Sequence, residues 1–471
     1  MLFNTITFYA IFIAFLLFFA ILRKTTKIGM MLYVSAFSIF FFYQANAELC
    51  FLLPLTALFS WLSTRRMAEC KGKSRKVWVT MIILVNLIPL IYYKYTNFGI
   101  NIINEIFHQN FSLLSIMLPI GISFYTFQAI SHAVDVYKEK FTQKVSFLSY
   151  LFYLSFFPLL LAGPITRAET FFPQIAGKKK PIDEKLIYSG LWLIMIGLIK
   201  KSVIADYIAQ YNNWIFDDPM GYSGFENLMG AIGYTVQIYC DFSGYSDMSI
   251  GIAALMGIKL KDNFNFPYQS LNITEFWRRW HISLSTWFRD YLYIPMGGNR
   301  KGELRTYFNN FVTMLVAGLW HGSTWMFIIW GGLHGLGLLV HKSMKKLFLD
   351  KIPNNFIVIA VSWFVTHVFV TICWVFFRAE SLEVCKNIFM QIGTNFDIAY
   401  LPYFILARPL WTGIIVASYL FHAVRERHFE KMQEWYVRSP WIVKVILFLV
   451  VVQLAIQFHT NSVQPFIYYQ F

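Results

Sequence analysis

The chain has 471 residues, of which 57% are hydrophobic and only 14% are charged, and its mean hydropathy is +0.51. Soluble globular chains are about 45–50% apolar and about 25% charged, so this composition excludes an ordinary soluble enzyme and a disordered scaffold. It predicts an all-α polytopic membrane protein. Spans of about 20 residues with short loops leave room for about 11–13 crossings.

Charge and cysteine content narrow the class further. Lys and Arg number 40 against 25 Asp and Glu, an excess expected of basic cytoplasmic loops, so no nucleic-acid partner is predicted. Five scattered cysteines without a CxxC pair indicate neither a disulfide framework nor a zinc site. The absence of a P-loop, a dinucleotide fingerprint, a G-x-S-x-G elbow and an H-E-x-x-H motif argues against ATPase, serine hydrolase and metalloprotease chemistry.

The first apolar run, residues 6–22, has basic residues only after it, which places the N-terminus outside. Further apolar runs cover residues 112–134, 146–163, 186–206, 225–240, 243–258, 306–321, 324–341, 356–377, 408–424 and 442–458. Several are short or broken by Gly and Pro, which indicates irregular backbone covered by protein or lining a water-filled cavity. We predict one membrane domain over residues 1–471, with its core motifs in about 161–341.

Residues 259–305 are more polar than the rest of the chain. Asn272 and Glu275 form a capping-box pattern, and residues 276–294 predict an amphipathic helix that is too polar to span the membrane and lies at the interface or re-enters. His281 follows Trp280 in this stretch. It is either a site residue or an interfacial histidine that bonds a carbonyl group.

His321 ends an apolar run directly before a helix break at Gly322–Ser323. An ionisable side chain at membrane depth marks a functional site by default, and imidazole titrates near neutrality, as a general base should. A buried structural histidine is the alternative. His334 and His341, seven residues apart, share one helical face beside a GxxxG step at 331–335; packing, tunnel lining and chemistry stay open for both.

The run CDFSGYSDMSIG (240–251) places Asp241 and Asp247 between apolar segments, with Gly244 able to break the helix. These carboxylates would bind a cation, orient a polar substrate or satisfy an unwound backbone. The stretch LAGPITR (161–167) is typical of a helix end terminated by proline, with Arg167 as a cap.

These motifs, taken in order, resemble the membrane-bound O-acyltransferase (MBOAT) family, and within it the bacterial alginate O-acetylase and peptidoglycan O-acetyltransferase branch. The matching stretches are LAGPITR (161–167), QIYCDFSGYSDMSIGIA (237–253), NFNFPYQSLNITEFWRRWHISLSTWFRDYLYIPMGGNR (263–300) and LWHGSTWMFIIWGGLHG (319–335). The resemblance implies a ring of helices around a central tunnel, which joins a cytoplasmic donor side to an outer acceptor side.

The resemblance also implies the chemistry. His321 matches the catalytic histidine of the family and His281 its second important histidine. His321 as general base would contribute about 10²–10⁴-fold, and His281, or backbone N–H groups near Gly322, would face the oxyanion. We predict tunnel-lining or supporting roles for Trp280, Trp320, Asp241, Asp247 and His334.

Acetyl-CoA is the implied donor, with no bound cofactor and no metal. Its phosphates are expected at the basic cytoplasmic face, near Lys259, Lys261, Arg300 or Lys301.

The last residues, 459–471, carry no Lys, Arg, Asp or Glu, which predicts an outer tail after a final span. Its FIYYQF end resembles the C-terminal motif of small acyl-carrier peptides in teichoic acid D-alanylation, which implies that Tyr468, or else Tyr469, carries the acyl group. The acceptor would be an extracytoplasmic partner, such as an SGNH-type transferase or another polysaccharide-modifying protein. An aromatic belt at the membrane surface is the plainer alternative.

The expected function is therefore transfer of an acetyl group across the bacterial inner membrane, with both termini extracytoplasmic, for O-acetylation of an envelope polysaccharide. The sequence leaves the polymer open among alginate, peptidoglycan, cellulose and other exopolysaccharides. D-alanyl transfer to teichoic acid, a secondary transporter or flippase without acyl chemistry, and a structural assembly subunit are the competing hypotheses.

Overall fold

The computed structural model describes residues 3–160, 163–176, 181–347, 352 and 355–458. Within these ranges every regular element is helical, which confirms the all-α class. The chain divides into two compact units, Met1–Leu191 with Ser249–Lys261 and Trp192–Met248 with Asp262–Phe471.

The first unit is built from helices at the N-terminal end of the chain. They are α1 (Ile6–Thr25), α2 (Lys27–Asn46), α3 (Leu52–Glu69), α4 (Gly72–Phe107), α5 (Ile122–Tyr137), α6 (Phe147–Ser155), α7 (Phe157–Leu160) and α8 (Ala168–Ala176). Phe157 is fully buried, and its ring centroid lies 5.7 Å from Phe15, 5.1 Å from Phe37 and 5.7 Å from Phe41. Aromatic packing of this kind stabilises helix contacts without any polar partner.

Helix α9 (Glu184–Leu198) starts in the first unit and ends in the second. A π-helical segment, Ile199–Ala205, then connects it to α10 (Asp206–Asp217). Helix α11 (Gly224–Leu255) lies mostly in the second unit. The helices that follow are α12 (Ile273–Arg279), α13 (Ile282–Phe288), α14 (Glu303–His321), α15 (Trp325–Leu347), α16 (Phe356–Arg378), α17 (Leu382–Thr394), α18 (Tyr400–Ala407), α19 (Pro409–Ala423), α20 (Glu426–Arg438) and α21 (Trp441–Gln457).

Five helical segments of the described chain are long and apolar enough to cross a membrane. They are Ile6–Thr25, Lys27–Glu69, Gly72–Phe107, Glu184–Asp217 and Phe356–Arg378. Helices α18 and α19, bent by 99° at their junction, add a sixth if they form one span. A total of about 11–13 crossings stays a prediction.

The predicted break at Gly244 is wrong, because α11 runs unbroken through the residues that were expected to form two spans, 225–240 and 243–258. Gly244 serves a close helix contact instead. A Cβ atom there would lie 2.8 Å from the carbonyl oxygen of Gly197, and one on Gly197 would lie 2.5 Å from that of Gly244. Small residues of this kind let membrane helices approach each other.

Candidate active site

The predicted helix over 276–294 is interrupted at His281. The capping box is confirmed, since Asn272 Oδ1 accepts the N–H of Glu275 at 2.9 Å and the Glu275 carboxylate accepts the N–H of Leu271 at 3.1 Å. Helix α12 ends at Arg279, however, and His281 has φ +42° and ψ +54° before α13 begins. The left-handed region disfavours residues other than glycine by about 1–2 kcal/mol, so neighbouring contacts must hold His281 there.

Asn263 supplies those contacts. Its Oδ1 accepts hydrogen bonds from the backbone N–H of Ser283 at 3.1 Å and from the Ser283 hydroxyl at 2.8 Å, and it lies 3.2 Å from Nδ1 of His281. Asn263 and His281 are both buried. Asn263 could not be predicted as a site residue from the sequence. Its partner Ser283 is twenty residues away, so no local pattern distinguishes Asn263 from other loop asparagines.

The Asn263 contacts determine the tautomer of His281. The N–H of Ser283 can only donate, so the Asn263 atom that it meets is the carbonyl oxygen, and Nδ1 of His281 must donate to that oxygen as well. The unprotonated ring nitrogen is then Nε2. Burial lowers the pKa of His281 to about 3, which keeps the imidazole neutral near pH 7. This arrangement favours a proton-accepting role for Nε2 over the expected role of facing an oxyanion.

His321 is the last residue of α14, and the predicted break directly after it is confirmed. Gly322 is extended at the C-cap, and a Cβ atom there would overlap the ring of Phe327, so any larger residue requires that ring to move. His321 is 3% exposed. Because the C-terminal end of a helix carries partial negative charge, it stabilises the imidazolium that forms when a histidine takes up a proton.

The rings of three histidines and two tryptophans form a continuous series of contacts. The ring centroids are 6.2 Å apart for His281 and Trp320, 5.1 Å for Trp320 and His321, 5.0 Å for His321 and Trp330, and 4.8 Å for Trp330 and His334. We call these five residues the histidine row. It unites His281, His321, His334 and Trp320, which the sequence analysis selects separately, and adds Trp330.

The hairpin of α14 and α15 carries most of the histidine row. The GxxxG prediction is confirmed here, since a Cβ atom on Gly331 would lie 2.4 Å from the carbonyl oxygen of Met314 and one on Gly335 would lie 2.8 Å from the ring of Phe311. His341 shares the His334 face of α15, but its Nδ1 lies 3.0 Å from the hydroxyl oxygen of Thr274. Trp280 is buried against Trp374, with ring centroids 4.8 Å apart.

The two candidate carboxylates pair with lysines that the sequence analysis does not select. Lys200 Nζ lies 2.7 Å from Asp247, and Lys201 Nζ contacts both Asp206, at 2.8 Å, and Asp241. We call these five residues the lysine–aspartate cluster. The π-helical segment presents the two consecutive lysines to α11. The ammonium groups supply the positive charge that a bound cation would have supplied, so the arrangement favours a supporting role.

The four predicted phosphate-binding residues are exposed. Arg300 and Lys301 belong to the second unit, and Lys259 and Lys261 to the first. The backbone N–H of Lys259 donates to Oε1 of Gln174 at 2.7 Å, and its carbonyl oxygen accepts from Nε2 of Gln174 at 3.0 Å.

Gln174 also lines a cavity of about 400 Å³ in the first unit. Arg23 and Lys27, which the sequence analysis does not name as phosphate ligands, lie in its wall. Arg23 donates to the carbonyl oxygen of Met256 at 3.1 Å. Tyr468 and Tyr469 lie outside the described residues.

The buried histidines on an apolar helical scaffold define a class, a multi-pass membrane protein with an ionisable interior. Comparison with known proteins then identifies the family. The sequence model of the membrane-bound O-acyltransferase family matches residues 75–382, and the chain belongs to this family. It is accordingly an O-acyltransferase.

Three relatives illustrate the range of the match. The probable alginate O-acetylase AlgI of Pseudomonas putida is 36% identical over 430 residues, which cover 86% of this chain and 86% of the relative. The peptidoglycan O-acetyltransferase of Helicobacter pylori is 37% identical over 388 residues, 76% of this chain and 73% of the relative. The teichoic acid D-alanyltransferase of Bacillus subtilis is 31% identical over 250 residues, 51% of this chain and 62% of the relative.

Proposed function

We propose that the protein transfers an acetyl group from cytoplasmic acetyl-CoA across the membrane for O-acetylation of a cell-envelope polysaccharide. The observation that carries this proposal is His321, buried at the end of α14 within the histidine row. Relatives named for O-acetylation of alginate and of peptidoglycan support the acetyl group and the class of polymer.

The proposed chemistry is general base catalysis of thioester alcoholysis. His321 takes the proton of an acceptor hydroxyl as its oxygen attacks the thioester carbonyl carbon. The tetrahedral intermediate collapses with cleavage of the carbon–sulfur bond, and the thiolate of CoA takes the proton back from the imidazolium. Protons therefore balance at one histidine. His281, with Nε2 unprotonated, accepts a hydrogen bond from a water molecule beside the incoming hydroxyl.

The first acceptor in this proposal is Tyr468, with Tyr469 as the alternative. The aryl ester would then pass to an extracytoplasmic transferase of the SGNH type or to another polysaccharide-modifying protein. The phosphates of CoA would bind basic residues at the cytoplasmic face, which the sequence analysis places at Lys259, Lys261, Arg300 and Lys301.

The test of this function is mass analysis of envelope polymers from a deletion strain that is complemented with variants. His321→Ala should abolish polymer acetylation at normal membrane levels of the protein, whereas His428→Ala, which changes an exposed histidine on α20, should leave it intact. Near-normal acetylation with His321→Ala would refute the assignment of the base.

The tyrosine step has its own test in the same strain. Tyr468→Phe keeps the aromatic ring and removes only the hydroxyl, so polymer acetylation should fall to background. If acetylation survives in the Tyr468→Phe/Tyr469→Phe double variant, the tail does not carry the acyl group.

D-alanyl transfer is the second candidate function, because two relatives are named for it. The two functions differ in the group that the polymer acquires. The same mass analysis therefore separates them, since loss of D-alanine esters in the deletion strain would favour this alternative.

A further inference from the structure

Three rings at one end of the histidine row contact one another. Trp277, on α12, lies 5.0 Å from His334 and 5.8 Å from Trp330 between ring centroids, and Trp330 lies 4.8 Å from His334. The other rings nearest to His334 include Phe276 at 6.1 Å and Phe369 at 5.8 Å. We call Trp277, Trp330 and His334 the nitrogen triad.

The ring nitrogens of the nitrogen triad are buried, and the part of the chain that the structure describes offers them no hydrogen-bond partner. Neither ring nitrogen of His334 has a hydrogen-bond partner there, nor does Nε1 of Trp277 or of Trp330. His334 and Trp330 are both 0% exposed. A buried polar group without a partner costs about 1–3 kcal/mol, so four such atoms in one place indicate that something else bonds to them.

The nitrogen triad has a definite hydrogen-bonding character. Each indole donates one hydrogen bond, and a neutral imidazole donates one and accepts one, so the triad offers three donors and one acceptor. A secondary amide satisfies three of these four groups, because its carbonyl oxygen accepts two hydrogen bonds and its N–H donates one. A thioester without an amide would leave the accepting nitrogen unsatisfied.

The position of the nitrogen triad fits an amide in the acyl donor. Trp330 contacts both His321 and His334, so the two imidazole centroids are at most about 10 Å apart. In acetyl-CoA the thioester sulfur is followed by two methylene groups and a secondary amide, which an extended chain places about 6 Å from the reacting carbonyl carbon. A thioester held at His321 can therefore place its first amide at the triad.

We propose that the nitrogen triad binds the secondary amide of the donor that lies closest to the thioester, with the indole N–H groups of Trp277 and Trp330 donating to its carbonyl oxygen and a ring nitrogen of His334 accepting its N–H. This inference rests on the proposed function, in which the donor is acetyl-CoA. It makes His334 a determinant of donor specificity and leaves the proton transfer to His321.

The test compares two small acetyl thioesters with the full-length protein purified in detergent. S-acetyl-N-acetylcysteamine keeps the amide, and S-propyl thioacetate lacks it; release of the thiol is measured for both, with acetyl-CoA as the reference. His334→Phe keeps an aromatic ring and removes both nitrogens. It should lower kcat/KM about 10- to 100-fold for acetyl-CoA and for the amide thioester, and leave kcat/KM for S-propyl thioacetate unchanged within threefold.

Two further variants protect this test from a general loss of fold. Trp277→Phe removes one N–H donor together with part of the indole ring, and it should produce a smaller loss with the same selectivity. It provides the test if His334→Phe cannot be purified. His367→Phe changes a partly buried histidine whose Nε2 lies 2.8 Å from the hydroxyl of Tyr419, and it should not alter the ratio between the two thioesters.

Equal losses for both thioesters, or no loss for either, would overturn the amide site even if the wild-type protein turns over acetyl-CoA. A wild-type protein that releases thiol from none of the three compounds would overturn the proposed function and the amide site with it.

Discussion

The histidine row and the Lys201 part of the lysine–aspartate cluster are both buried polar groups of the second unit, whereas Lys200 and Asp247 are partly exposed, and the surroundings of the two regions differ. In the cluster, Lys200 meets Asp247 at 2.7 Å and Lys201 meets Asp206 at 2.8 Å, so opposite charges stabilise each other. In the histidine row, aromatic rings surround the imidazoles, and His334 has no hydrogen-bond partner in the described chain.

This difference separates residues that stabilise the protein from residues that are available to a substrate. A buried ion pair is destabilised strongly by removal of one partner, which makes the lysine–aspartate cluster a structural element. Unsatisfied nitrogen atoms beside a candidate base can gain partners from a bound molecule. Substitutions in the histidine row should therefore lower the rate of acetyl transfer, whereas substitutions in the lysine–aspartate cluster should lower the amount of folded protein.

The largest expected effect is on chemistry in the histidine row. His281→Ala removes the unprotonated Nε2 and should lower kcat for acetyl transfer about 10²–10⁴-fold, while the protein stays monodisperse in detergent. His281→Asn is the matched control for the backbone, because asparagine tolerates the left-handed region better than most residues. Activity within threefold of wild type in both variants would exclude His281 from the reaction.

The lysine–aspartate cluster should respond in the opposite way. Lys201→Met leaves Asp206 and Asp241 without their shared buried ammonium, and should destabilise the protein by about 3–5 kcal/mol. Thermal unfolding in detergent and the membrane level of the protein are the measurements. The double variant Lys201→Met/Asp241→Asn removes both the ammonium and one of its carboxylates, and should recover part of the lost stability. A Lys201→Met protein that is as stable as wild type but has a low kcat would contradict the structural role.

Asn263 allows a finer test, because it acts on the reaction only through His281. Asn263→Ala releases Nδ1 of His281 and should lower kcat about 10- to 100-fold, as loss of an orienting partner does at metal-bound histidines; KM for acetyl-CoA should not change. Ser283→Ala removes one of the donors to the same oxygen and leaves the His281 contact, so its effect should be smaller. A rise in KM without a fall in kcat would show that Asn263 does not orient the histidine.

The smallest expected effect concerns pH and stability. The pKa of His281 is about 3 in the folded protein and about 6.5 when unfolded, so unfolding takes up a proton and acid destabilises the fold below pH 6.5. Between pH 7.5 and 5.5 this histidine should account for about 1.4 kcal/mol of lost stability. In chemical denaturation, the His281→Asn variant should lose correspondingly less stability than the wild-type protein between pH 7.5 and 5.5. An identical pH dependence of stability in the variant and the wild type would contradict a buried, neutral His281.

Local patterns predict local structure well in this protein. The capping box at Asn272 and the helix end at His321 are confirmed because each depends on residues within a few positions in the chain. The break at Gly244 is wrong because a glycine in an apolar run fits either a kink or a close helix contact, and only the packing against Gly197 decides between them.

Partners distant in the chain could not be predicted in the same way. Lys201 is forty residues from Asp241, and Asn263 is eighteen from His281. No sequence period connects such pairs, so the sequence identifies the ionisable residues but does not identify which of them satisfy one another.

The glycines of the α14–α15 hairpin also constrain how this site can evolve. A methyl group on Gly318 would lie 2.2 Å from the carbonyl oxygen of Phe327, and one on Gly331 would lie 2.4 Å from that of Met314. Backbone atoms cannot rotate away as side chains do, so even alanine is excluded at both positions. New donor or acceptor preferences must therefore arise at positions that carry side chains around His321, and a directed-evolution library that leaves these glycines unchanged would retain more folded variants.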